Sequence, residues 1–383
     1  MKLRIACPRG LARLRKSKAR LLALSATGAL ALTAATTLAP GGNAALAFAV
    51  FNPAITVAGG NSVIAVQTSQ DGLRFYWNQY GTNNWYGEQV AANGTTFSDP
   101  SIAQVGNAVE IAAEGPGNSL VLYWQTIDTA PWHAETVAGY GTTYSAPSIA
   151  QNGNSTIIAA QGPSNSLDFY WAYNGSTNWG PEQVAGAGTT YSAPSIAANT
   201  LGNGVNIAAE GPGGSVDFYW AINGTSTWHP EVVAGAGTTA TTPAISAHDN
   251  GVTIVALNQD GYLSTSWWAT NGTAGWVRSA MPDGDTGASS IAAYAGNVYV
   301  VARELFGYMG VSTSAGDSGW WTSTQVIWTG LSQLVGVAGD PSVTVNAGSV
   351  NIAVEDGDGN LVFYWEDGSG SFHEETVDTA SNL

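Results

Sequence analysis

Tryptophan and glutamate keep a fixed distance from each other through most of this chain. Trp85, Trp132, Trp179, Trp228 and Trp276 recur in one position, and Trp321 and Phe372 hold it further on. A carboxylate follows three residues later at Glu88, Glu135, Glu182, Glu231 and Glu375, with Ser279 and Thr324 standing in elsewhere. A second polar column runs through Gln67, Glu114, Gln161, Glu210, Asn258, Arg303 and Glu355. Indole faces suit the apolar C–H face of a pyranose, while carboxylates and amides suit its ring of hydroxyls. The candidate carbohydrate-binding residues are therefore Gln67, Trp85, Glu88, Glu114, Trp132, Glu135, Gln161, Trp179, Glu182, Glu210, Trp228 and Glu231. The same pattern also describes a tryptophan that plugs the gap between packed units beside a solvated edge charge. Residue types alone leave both readings open.

The columns recur because the chain repeats itself about every 47 residues. Units start near residues 53, 100, 147, 194, 243, 289 and 341, most with a Pro-Ser-Ile-like mark such as Pro147-Ser148-Ile149. Five units carry an aromatic run such as Phe169-Tyr170-Trp171, and Trp267-Trp268 is a variant of it. The third unit reads as four short strands: Pro147 to Ala150, Thr156 to Ala160, Ser166 to Trp171 and Trp179 to Ala185. Asn-Gly and Gly-Pro turns separate them, and proline is tolerated where a strand begins. Connections inside a unit are short, whereas the one between units is longer, as an outermost strand feeding the next innermost strand requires. Small Ser and Ala in the first strand fit a crowded axis. The expected fold is all-β, a seven-bladed propeller of four-stranded antiparallel blades over residues 48–383. A sandwich pair or an open solenoid is the structural alternative. The Phe-Tyr-Trp run reads as core, with Phe169 and Trp171 on one face and Tyr170 on the other.

Residues 1–47 read as a secretory signal peptide. They hold Lys2, Arg4, Arg9, Arg13, Arg15, Lys16, Lys18 and Arg20, then an uncharged Leu/Ala/Thr run and a small-x-small site at Ala45-Leu46-Ala47. The remainder keeps Arg74, Arg278 and Arg303 against twenty-seven acids, a net charge of −24. Such a surface has no match for phosphate backbones, so nucleic acid is excluded as a partner and no membrane insertion is expected after cleavage. Cys7 is the only cysteine and lies in the leader, so the exported part holds no disulfide. His133, His229, His248 and His373 fall in different units, which argues against a metal site. Asp356-Gly357-Asp358-Gly359-Asn360 and Ser314 to Trp320 read as turns. Carboxylates are spread one per unit, so no unique catalytic pair stands out and no catalytic residue or cofactor is assigned.

The leader, the blade length and the Gly-Pro-x-x-Ser-Leu-x-Phe-Tyr-Trp motif resemble secreted bacterial β-propellers grouped with fucose-specific and PLL-type repeat lectins. That resemblance implies non-catalytic glycan binding at clefts between neighbouring blades of a secreted, extracellular protein. Fungal fucose lectins use an Arg–Glu pair with an aromatic at each site, and here only Arg303 falls in a candidate column. The alternatives are a propeller glycoside hydrolase acting on extracellular polysaccharide and a structural or protein-binding propeller.

Overall fold

Within each unit the apolar side chains alternate along strands buried on both faces, so each sheet needs a neighbour on either side. The computed structural model describes residues 50–383 apart from 79–83, 128, 130, 200–203, 250, 262–263, 271–272, 274, 282–284, 305–306, 316–320 and 327–335. The expected leader and most of the Ser314 to Trp320 turn therefore lie outside the described residues. No helix among the described residues is long and apolar enough to cross a membrane.

Seven four-stranded antiparallel sheets form, each from four strands consecutive in sequence. In the third blade the strands are Ser148–Asn152, Ser155–Gln161, Leu167–Tyr173 and Gly180–Ala185, close to the expected segments. Numbered in chain order, the first strands of the blades are β1 (Ala54–Ala58), β5 (Ser101–Val105), β9 (Ser148–Asn152), β13 (Ser195–Ala198), β17 (Ala244–His248), β21 (Ser290–Tyr294) and β25 (Ser342–Asn346). Each lies against the next, and β25 lies against β1. The first strand is thus innermost, and the ring closes as a seven-bladed propeller.

The core is divided by seam. One apolar cluster joins each pair of adjacent blades: Phe75 meets Ile111 and Tyr123, Leu122 meets Ile158 and Tyr170, and Phe169 meets Ile207 and Tyr219. Within the aromatic run, Phe therefore faces the following blade and Tyr the preceding one, as a period of two demands. The Pro-Ser-Ile mark also acquires a physical role. Ser101 Oγ accepts the Ile149 N–H at 3.1 Å, Ser148 that of Ile196 at 3.1 Å and Ser195 that of Ile245 at 3.2 Å. Ser290 does the same for Val343 at 3.1 Å. These hydroxyls satisfy backbone donors that no sheet ladder reaches.

Because every blade is built from one stretch of chain, no shared strand locks the ring. Closure between the last and first blades instead combines packing of Leu361 and Phe363 against Ile64 and Tyr76 with a group of hydrogen bonds. Ser342 Oγ accepts from Ile55 N at 3.2 Å, Asn351 Nδ2 donates to Ser62 Oγ at 2.6 Å, and Phe51 N donates to Glu355 Oε2 at 2.7 Å. Tyr76 Oη donates to Asp378 Oδ2 at 2.7 Å, with the Arg74 guanidinium 3.6 Å from the same oxygen.

Candidate functional site

The tryptophan and glutamate columns meet, though not as sequence neighbours. Trp132 Nε1 donates to Glu88 Oε1 at 2.7 Å, Trp179 to Glu135 Oε1 at 2.9 Å and Trp228 to Glu182 Oε2 at 3.0 Å. Trp276 donates to Glu231 Oε2 at 3.0 Å, and Trp85 closes the series on Glu375 Oε2 at 3.2 Å. Each indole thus bonds the carboxylate of the preceding blade, not the one three residues on. The reason is the strand period: residues three apart on a strand point to opposite faces. Trp85 faces the last blade, and Glu88 faces the second.

These indoles are half-buried and wedged edge-on against the preceding blade's third strand. Ring centroids lie 5.0 Å apart for Phe75 and Trp132, 5.1 Å for Phe169 and Trp228, and 4.9 Å for Phe363 and Trp85. Glu182 and Glu231 are held twice, since Trp171 Nε1 reaches Glu182 Oε1 at 3.1 Å and Trp220 Nε1 reaches Glu231 Oε1 at 3.0 Å. In the sixth blade Trp321 Nε1 bonds Ser266 Oγ at 2.9 Å instead. The indole edge is therefore engaged in bracing the seam, while its partial exposure leaves ring surface available at the mouth.

The second polar column lies at the other rim. Gln67 pairs with Leu73 and Trp85 with Asn78, five residues along the same third strand, which separates them by about 17 Å at about 3.3 Å per residue. At that rim Gln67 Nε2 donates to Thr96 O and Gln161 Nε2 to Thr190 O, each at 2.7 Å. Arg303 Nη1 likewise donates to Ala338 O at 2.7 Å. These side chains clamp the long connections between blades. Glu114 accepts from Asn118 Nδ2 at 2.7 Å, and burial raises the pKa of both Glu114 and Glu210. Gln67, Glu114, Gln161 and Glu210 therefore do not share a site with Trp85, Trp132, Trp179 and Trp228. Asn258 is also out of register. Ile254 pairs with Ile245 as Ile64 pairs with Ile55, so Leu257, 3 % exposed, occupies the place of Gln67.

A cleft of about 290 Å³ opens where the Trp–Glu bridge joins blades two and three. Glu135, Trp179 and Trp124 line it, together with Glu110, Thr156 and Asn174. Trp124 is the last residue of the aromatic run and stacks on His133 with centroids 4.3 Å apart. The cleft is framed where the first hairpin of blade two nears the loop before the last strand of blade three. A Cβ on Gly106, whose φ is +58°, would lie 3.0 Å from Asn174 Nδ2, so glycine eases this approach, although Ala295 and Ala347 take the same hairpin place at φ 48° and 50° in other blades. Glu110 is not among the candidate residues above, although it has a signal in the sequence: it is the one acid in a column that otherwise holds Val63, Ile157, Asn206, Thr253, Tyr299 and Asn351. Its carboxyl is pushed up to about 7 by burial, eased by the Thr156 hydrogen bond and raised again by the Glu135 charge. Among the described residues no group of three or more His, Cys, Asp or Glu side chains could hold a metal ion. The Asp356 segment is a turn, with Asp356 Oδ1 accepting from the N–H groups of Asp358 and Asn360 at 2.9 and 2.8 Å.

No family model and no curated protein matches the sequence. Solved structures do match. BP39L lectin from Burkholderia pseudomallei superposes with a TM-score of 0.72 at 16% identity, covering 86% of this chain and 99% of that one. SapL1 lectin, solved in complex with alpha methyl fucoside, gives 0.55 at 13% identity over 73% of this chain and 97% of its own. The fucose-specific lectin from Aleuria aurantia gives 0.53 at 12% identity over 75% and 98%. The chain shares its fold with these lectins, fucose-specific ones among them.

Proposed function

We propose that the chain is a non-catalytic, lectin-like propeller, exported from the cell, that binds glycans in clefts between neighbouring blades. The observation that carries this reading is the cleft between blades two and three. There two half-buried indoles, Trp124 and Trp179, stand beside the Glu110 and Glu135 carboxyls and the Thr156 hydroxyl in a space of about 290 Å³. Apolar ring surface next to acceptors and a hydroxyl is what a pyranose needs. The shared fold with lectins supports the same reading. Shallow, half-open sites bind weakly, and the indole–carboxylate bridge recurs at five seams, so similar clefts on one body would gain through avidity. No arginine lines this cleft, so the Arg–Glu recognition of fungal fucose lectins is not reproduced in it.

A broad glycan array probed with labelled protein tests the proposal. Binding to a subset of glycans is expected, lost by at least about tenfold in a Trp124→Ala variant that near-ultraviolet circular dichroism shows to be folded; that variant should melt lower because Trp124 also packs on the seam. A folded protein that binds no glycan, or one that releases reducing sugar from polysaccharide, overturns it. Recovery from the culture medium of a chain cleaved near Ala47 tests export.

A further inference from the structure

Five of the seven seams share one bridge but differ in what lies beneath it. On the second strand, the position before the central Ile or Val is Val63, Ile157, Asn206, Thr253, Tyr299 or Asn351 in the other blades, and an acid, Glu110, in blade two alone. Glu110 is 6 % exposed. Its Oε2 accepts from Thr156 Oγ1 of blade three at 2.7 Å. Glu135 lines the same cleft, with Oε1 taking the Trp179 indole N–H. Two carboxyl groups thus share a space walled by Trp124 and Trp179, with no arginine or lysine in its lining. The chain beyond residue 47 adds a net charge of −24 around it.

A neutral pyranose would use the indoles and some of the acceptors here but would leave the paired carboxyls uncompensated. An anionic sugar would be repelled. A cation gains from all three features: Coulomb attraction in a half-buried space, the negative faces of two indoles, and carboxyl acceptors. We infer that the cleft between blades two and three selects a cationic amino sugar. The pyranose of a glucosamine-type unit packs on Trp124 and Trp179, and its ammonium is paired by Glu110 and Glu135. This rests on the carbohydrate-binding reading of the same cleft.

The inference has a proton signature. Free Glu110 holds its proton up to about pH 7, and an arriving ammonium displaces it. The groups facing Glu110 are Glu135 from its own blade and the uncharged Thr156 from the next, with His133 further out against Trp124. Affinity should rise as pH climbs from about 5 to about 7, then fall as the sugar amine loses its charge near about pH 8.

The test is calorimetric titration of the purified protein with glucosamine oligosaccharides and with fully N-acetylated oligosaccharides of the same length. The free-amine series should bind at least about tenfold tighter at about pH 6.5 and release protons on binding. Glu110→Gln should bring the two series within about twofold of each other and abolish the acid limb of the pH profile. Near-ultraviolet circular dichroism should show that variant folded. Equal binding of the two series overturns the inference and leaves the carbohydrate reading standing. So does binding of neither series by a protein that binds other glycans. Selectivity that survives both Glu110→Gln and Glu135→Gln overturns the placement. A plain alkylamine that competes as well as the sugar overturns the sugar part. Failure to bind any glycan removes the underlying reading as well.

Discussion

Replacing Glu110 by glutamine should make the propeller more stable, but only above a certain pH. The carboxyl titrates near 4.5 when solvated, and burial beside Glu135 pushes it up to about 7. A proton bound more tightly in the folded state stabilises that state fully below about pH 4.5. The benefit then declines as pH rises through about 7, where the folded protein must bury the charge. At about 1.4 kcal/mol per pH unit the whole excursion is about 3 kcal/mol. Glutamine keeps an acceptor for the Thr156 hydroxyl and carries no charge. Urea unfolding of both proteins at about pH 4.5, 6 and 8 reads the difference. Glu355, also pushed up to about 7 by burial, adds the same pH dependence to both proteins and cancels. The gap should open by about 2–3 kcal/mol in favour of Glu110→Gln between the lowest and highest pH. Parallel stability profiles would refute the burial argument, and a gap opening toward acid would reverse its sign.

Other expectations follow from the seam bridges. Glu182 serves two indole donors and Glu88 one, so Glu182→Ala should cost about 2–4 kcal/mol in chemical unfolding and Glu88→Ala about 1–2 kcal/mol. Equal losses would mean the bridges are not structural. Ser342→Ala leaves the Ile55 N–H without its acceptor at the closing seam and should cost about 0.5–1.5 kcal/mol, whereas an Ala already stands in that place at Ala54. Gly106→Ala should be destabilising both through its positive φ and through contact with Asn174, and should weaken ligand binding at the adjoining cleft more than elsewhere. A glycan-binding assay that finds this variant unchanged would show that the hairpin does not shape the cleft.

The fold was legible because repetition and a period of two say the same thing at every blade. Pro147-Ser148-Ile149 and Phe169-Tyr170-Trp171 give strand, face and order without any partner being known. What linear spacing does not reveal is which blade a side chain addresses. Trp179 and Glu182 look paired along the chain, but a three-residue offset in a strand separates their faces, so Trp179 bonds Glu135 and Glu182 receives Trp228. The Gln67 to Glu355 column looked like part of the same site because it recurs with the same period, yet antiparallel pairing carries it to the far rim. Asn258 slipped by one residue where the blade drifts, and buried Leu257 takes the place. Glu110 broke an apolar strand in plain view, but only the facing Thr156 and the nearby Glu135 explain what an acid does there.

The most direct measurement is a crystal structure of the protein soaked with a glycan that it binds. Sugar density against Trp124 and Trp179, within reach of Glu135, is the predicted result. Density at the rim beside Gln67 and Gln161, with the indole clefts empty, would contradict it.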